Sequence, residues 1–474
     1  MKESLGKMRL CVFAVTVILL GLMLISAPYD VPSMDDFSFS VRAKQALDAG
    51  KGLPGAVAAA AETAAYDYVN WQGTFSSIFF MALMPGIFRL RAYAVTPVIM
   101  LSLLFLGIMY FFRSLSEDEE DLIRMDITGL MAFISVTQCM PDPTEGIYWY
   151  NGAVHYTLPA SAALLFCGSM VRISRGTGRR APAVIMMITA VLTGGGNYVT
   201  GIVLALLIVS YLVFVSMKVF RERAFMFFPV ASYLILSAAF APLWYGSGNI
   251  EAGRARDAIF CFYIVALTVN LILFSQRERR AAELRGILEP GAARLRLMIP
   301  GMALFFICFI LNVAAPGNKV RSATMESFGA LHSIGLSLYS GFTVPLREWT
   351  DWLPALALIL TVLIFSGVRL KKLAIVVPLF VIFLVMSFKG GPGRYTALSS
   401  LKSVSNGDAA VYLDQVRDRT SYIAHLTGDE VVKAYSIRPE PVFEGDITGD
   451  ETQWVNQAYA RYYGLQSVRT EGEY

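Results

Sequence analysis

Charge is scarce in this sequence: 16% of the residues are Asp, Glu, Lys or Arg, 55% are hydrophobic, and the mean hydropathy is +0.55. A soluble domain carries about a quarter charged residues, so this balance excludes an ordinary water-soluble protein. Cysteine is also sparse. The five, Cys11, Cys139, Cys167, Cys261 and Cys308, lie far apart inside apolar runs with no CxxC spacing, which excludes a disulfide framework and a cysteine zinc site. Low-complexity tracts and internal repeats are missing. The net charge of +4 is small, and membrane topology accounts for the basic residues without nucleic acid as a partner.

What the chain does have is a succession of apolar blocks. They run over Leu10–Ile25, Thr74–Phe88, Tyr93–Phe112, Ile127–Met140, His155–Ile173, Ala183–Gly195, Tyr198–Met217, Ala224–Leu243, Ala258–Ser275, Leu297–Val313, Trp352–Gly367 and Leu373–Ser387. About twenty apolar residues cover the roughly 30 Å of bilayer hydrocarbon, and continuous blocks without alternation predict helices and not barrel strands. Pro28 directly after Ala27 disfavours signal cleavage, so the first run reads as an uncleaved helix with its amino end inside.

Four basic clusters set the sides: Arg172 to Arg180, Lys218 to Arg223, Arg277 to Arg296, and Arg369 to Lys372. Placing all four in the cytoplasm pairs the intervening runs and leaves the carboxyl tail outside, in a plasma-membrane topology that needs an odd number of crossings. Thr74–Phe88, short and broken by Pro85-Gly86, is therefore assigned to the outer interface; the alternative is that it crosses and Ile127–Met140 does not. The expected fold is an all-α polytopic membrane protein of about eleven transmembrane helices. Residues 1–388 form the transmembrane domain with a first outer loop at 28–72, and 389–474 a small mixed α/β extracytoplasmic module. In that module 409–425 and 450–463 read as helices, the second capped by Asp450, and 430–437 and 441–447 as strands.

The outer segments hold the polar chemistry. Asp35 and Asp36 follow the first helix closely, and adjacent carboxylates raise at least one pKa by mutual repulsion, which suits a general base or a divalent-cation ligand. An acidic cap on a helix over Phe37–Leu47 is the structural alternative. Val41–Ala49 and Pro54–Val69 have the spacing of membrane-surface helices that would roof the pair. The second outer segment, Asp142 to Tyr156, sets Glu145, Asn151 and His155 among Tyr148, Trp149, Tyr150 and Tyr156. That mixture fits a lining for carbohydrate or a lipid headgroup, or an aromatic belt at the membrane surface. Gly194-Gly195-Gly196-Asn197-Tyr198 reads as a tight interhelical turn or as a close approach to a lipid phosphate. Lys319 and Arg321 are cations of a later outer segment that could hold a phosphate or simply be solvated.

A first helix followed at once by Asp35-Asp36-Phe37, surface helices and many spans with long later outer loops resembles the GT-C class of membrane glycosyltransferases. Asp35-Asp36-Phe37, the stretch from Tyr148 to Tyr156 and the Gly194-Gly195-Gly196-Asn197 turn are similar to those of an uncharacterised bacterial membrane family, domain of unknown function 6056. The likeness covers most of the chain. It implies inverting transfer of a sugar from a polyprenyl-phosphate carrier to an envelope glycan or lipid acceptor on the outer face. Asp35 or Asp36 matches the catalytic acid of that class's first outer loop, and Lys319 and Arg321 would meet the departing phosphate. Such enzymes often repeat an acidic pair in a later loop; here only Asp142 and Glu145 offer one, which leaves metal use open. Two other classes compete. A flippase or exporter of lipid-linked glycans would place ionisable residues within the spans, where this chain has few, and a non-catalytic envelope assembly factor would not need the acids.

Overall fold

Residues 2–219, 223–247, 250, 253–275, 284, 286–319, 330–347 and 395–471 are described in a computed structural model. The last two expected spans, Trp352–Gly367 and Leu373–Ser387, and the candidate Arg321 lie outside the described residues. Seven described helices are long and apolar enough to cross a membrane, as in a multi-pass membrane protein.

The first of these, α1 (Lys2–Leu24), meets no breaker until Ala27-Pro28 turns the chain. Two helices of the first loop follow, α2 (Asp35–Asp48) and α3 (Gly52–Asn70), close to the expected surface helices. Thr74–Phe88 forms a helix, α4 (Phe75–Met81), and a turn at Pro85–Ile87. Seven residues rise only about 10 Å, too little to cross.

Helix α5 (Val95–Ser114) packs along α6 (Glu119–Gln138) and α7 (Tyr150–Arg175). Small residues let these backbones close up: a Cβ on Gly107 would lie 2.8 Å from the Ser161 carbonyl oxygen, and one on Gly168 would lie 2.8 Å from the Tyr110 ring. The expected span Ile127–Met140 is the second half of α6, which starts on an Asp118 cap with Glu119, Glu120 and Asp121 in its first turn. Its buried Asp126 joins Arg9 of α1 at 3.1 Å to Arg113 of α5 at 2.6 Å. With that charge, α6 falls outside the seven long apolar helices, as does the fifteen-residue α8 (Arg180–Gly194).

The bundle continues through α9 (Tyr198–Ser216), α10 (Ala224–Ala238), α11 (Ala241–Ser247), α12 (Gly253–Ser275), α13 (Ala292–Val313) and α14 (Ala330–Arg347).

After residue 395 come α15 (Thr396–Ser405), α16 (Asp408–Ile423), β1 (Asp429–Val432), α17 (Trp454–Tyr463) and β2 (Ser467–Thr470). The two strands pair in parallel, Asp429 opposite Ser467 and Val432 opposite Thr470. Residues 441–447, expected as a strand, are irregular. Asp446 is turned inward, and its carboxylate binds Arg419 at 2.8 Å and the amides of Tyr435 and Ile447. Asp450 does not cap α17; it closes a turn on the Thr452 amide and hydroxyl, and the helix starts later behind Gln453. These residues seat against the first loop, where the Phe37 ring meets Tyr459 and Tyr462 edge-on at 4.9 and 5.2 Å.

Candidate functional site

The acidic pair lies where the chain leaves α1 and turns into α2. Met34, at φ 50°, makes that turn in a backbone region costly for a side-chain-bearing residue. Two contacts hold it there. The Ser33 amide donates to Asp36 Oδ2 at 3.1 Å, and Gly445 leaves room for the Met34 thioether, since a Cβ at 445 would lie 2.6 Å from Sδ.

Asp36 is wholly buried. Besides Ser33, the Tyr93 hydroxyl donates to Oδ2 at 2.6 Å and the Asn151 amide to Oδ1 at 3.2 Å. All three donors come from outside the amides that open α2, so Asp36 joins the first loop to the Leu90–Ala94 turn before α5 and to α7, and is not a helix cap. Burial pushes its carboxyl up to about 7; the three donors pull it down, and the neighbouring Asp35 charge adds to the rise. Asp30, also buried, is raised well above the usual range by burial and by the Asp36 charge.

Asp35 differs from its neighbour. It is partly exposed, accepts no hydrogen bond from the described residues, and is raised by burial while Arg254 pulls it down. Arg254 opens α12. Its amide donates to the Glu145 carboxylate, and its guanidinium lies 3.9 Å from Glu145 Oε1 and 4.8 Å from the Trp149 ring centre. Glu145 is raised by burial, against Arg254. Glu444, from the chain after β1, is pushed up to about 8 by burial and by the charges of Glu145 and Asp142. Asp257, one turn along α12, accepts the Asp142 amide at 2.8 Å. Acids from the first loop (Asp35), the second loop (Glu145) and the carboxyl-terminal part (Glu444) therefore gather around Arg254.

The aromatic segment supports this centre. Its Thr144–Tyr148 stretch is a π turn, a form that recurs at functional sites. Tyr148 donates to the Met23 carbonyl at 2.8 Å, Trp149 to that of Ser33 at 3.2 Å and Tyr150 to that of Phe80 at 3.1 Å. All three rings are buried, which does not fit a belt at the membrane surface. Asn151 is buried too, and its side-chain amide has no hydrogen-bond partner among the described residues. His155 and Tyr156 are half-buried and meet edge-on at 4.8 Å.

The remaining candidates stand elsewhere. Asn197 caps α9 by accepting the Thr200 amide at 2.7 Å and donates to the His155 carbonyl at 2.6 Å, so its side chain is used in the fold. The glycines before it face protein: a Cβ on Gly194 would lie 2.7 Å from the Phe305 carbonyl oxygen, one on Gly195 2.5 Å from the Phe75 ring, and one on Gly196 2.9 Å from Pro159. This is the tight interhelical turn. Lys319 is exposed beside Asn318, which accepts from the Tyr198 hydroxyl at 2.6 Å and the Gly73 amide at 3.1 Å. The cation set against the acids is Arg254. A signal for it was present, because Arg254 and Arg256 lie at the end of a span but outside the four basic clusters expected in the cytoplasm. Tyr93, Asp30 and Glu444 carry no comparable sequence mark. Among the described residues, no group of three or more His, Cys, Asp or Glu side chains is placed to hold a metal ion.

No protein-family model matches the chain, and no curated protein or solved structure does either.

Proposed function

We propose that the chain is a membrane glycosyltransferase of GT-C type, moving a sugar from a polyprenyl-phosphate carrier to a cell-envelope acceptor, with Asp35 as general base. The observation that carries this reading is a partly open carboxylate, Asp35, that accepts no hydrogen bond from the described residues and lies under the charge of Arg254, beside the wholly buried Asp36. Inverting transfer needs that combination. Asp35 takes the proton of the acceptor hydroxyl as its oxygen attacks the anomeric carbon, and the bond from that carbon to the phosphate oxygen breaks with its electron pair going to phosphate. Arg254 stabilises the charge gathering on the departing phosphate. Asp36 is a positioning residue, since its donors fix the start of α2 and thereby Asp35.

The basic clusters support a cytoplasmic amino end, which sets this centre on the outer face of a plasma membrane crossed about eleven times. The test compares envelope glycans from cells carrying the native chain, Asp35→Asn or a deletion, at matched membrane abundance. Asp35→Asn is expected to reproduce the deletion. Intact glycans in Asp35→Asn, lost only on deletion, would favour a lipid-glycan exporter or an assembly factor.

A further inference from the structure

A groove of about 520 Å³ lies apart from Arg254, where the turn after α1, the Leu90–Ala94 turn before α5 and α16 come together. Pro28, Tyr29 and Arg91 form its membrane side, and α16 adds Leu413, Asp414 and Arg417. Its depth follows from the two helices that end there. Leu10, Phe13, Val17 and Ile18 of α1 and Val98 and Ile99 of α5 are exposed apolar residues, the surface a span shows to lipid, and these faces stop at the groove. The groove thus opens at the level where headgroups begin.

Its charge is positive. Arg91 is exposed and has no ion-pair partner among the described residues. Arg417 has only Asp414, at 3.5 Å, and the Asp414 side chain is itself 72% exposed, so the pair is loose and screened. Just before the groove, Phe88 and Arg89 are exposed side by side, an apolar ring with a cation suited to the lipid interface. By the basic clusters this is the outer side of the membrane, where the exposed Arg91 and the loosely paired Arg417 offer an anion two cationic contacts.

We propose that this groove binds the headgroup of an anionic membrane phospholipid, with Arg91 and Arg417 contacting its phosphate from two sides and the acyl chains lying along α1 and α5. Arginine suits this role because its planar fork presents paired donors to phosphate oxygens. The proposal is independent of the transferase reading.

The test uses the full chain purified in detergent, with lipid retention read by native mass spectrometry after titration with phosphatidylglycerol, phosphatidylcholine or inorganic phosphate. Phosphatidylglycerol is expected to be retained by the native chain, and about tenfold less by the Arg91→Gln/Arg417→Gln pair at unchanged thermal midpoint, a difference of about 1.4 kcal/mol. Asp414→Asn, which removes the like charge, is expected to retain more. Millimolar inorganic phosphate is expected not to compete. Equal retention of phosphatidylglycerol by the double variant, equal retention of phosphatidylcholine by the native chain, or displacement by inorganic phosphate would each overturn it. If the double variant does not fold, the Asp414→Asn increase decides: no increase overturns the proposal.

Discussion

The Tyr93 hydroxyl donates to Asp36 Oδ2 at 2.6 Å and accepts the Tyr150 amide at 2.8 Å, so one phenol ties the start of α2 to the start of α7. Tyr93→Phe takes away the donor and leaves a buried amide unpaired. Losing such a bond costs about 1–3 kcal/mol. The thermal midpoint in detergent should fall accordingly; an unchanged midpoint would mean the phenol is not needed to join the two elements.

Asp36 also gives stability a pH dependence. Its carboxyl has a folded value of about 7, above the ordinary 3.8, so the fold favours the neutral form. That contribution is complete below about 3.8 and is lost as pH rises through about 7. Glu444, at about 8, acts in the same direction. Thermal midpoints of the native chain should decline from about pH 5 to about pH 8, and Asp36→Asn should flatten part of the decline. An identical slope in the variant would exclude Asp36 as the titrating group.

Arg419 is 6% exposed, is bound to Asp446 at 2.8 Å and lies 3.6 Å from the Tyr435 ring centre. Arg419→Met leaves the Asp446 carboxylate buried without its cation, a change that costs about 3–5 kcal/mol. Limited proteolysis should then cut between residues 395 and 471 at protease levels that leave the native chain intact. Equal resistance would show that this pair does not hold the carboxyl-terminal part together.

Two glycines should respond in opposite directions. A Cβ on Gly73 would run into the Asn312 carbonyl, whereas one on Gly6, inside α1, meets nothing within 4 Å. Gly73→Ala should unfold or displace the α3–α13 junction, and Gly6→Ala should be neutral or stabilising by up to about 1 kcal/mol. Comparable midpoints for the two variants would contradict this packing.

How much of this was legible in the sequence depended on whether a signal was local. The surface helices of the first loop were readable because their apolar spacing repeats within each segment, and Asp35-Asp36 stood out as charge next to an apolar run. The partners of Asp36 were not readable. Tyr93 looks like any aromatic at the head of a span, and only the packing of α5 against α7 turns its hydroxyl toward the carboxylate. Residues 441–447 were misread because Val442, Phe443 and Ile447 are strand-favouring residues, and the sequence does not reveal that Asp446 turns inward and takes backbone amides from 435 and 447. Arg254 was legible in principle, as a cation beside a span and outside the four basic clusters, but its acidic neighbours Asp35, Glu145 and Glu444 come from three separate parts of the chain.

The central claim is that Asp35 and Arg254 carry the transfer, and vesicles containing the purified chain and synthetic polyprenyl-phosphate hexose or pentose donors test it most directly. The measurement is release of free polyprenyl phosphate on addition of an envelope-lipid acceptor. Release by the native chain is expected to rise with pH as Asp35 ionises, to fall about 100-fold or more in Asp35→Asn, and to fall about 100-fold in Arg254→Gln. Release by either variant at the native rate would contradict the account.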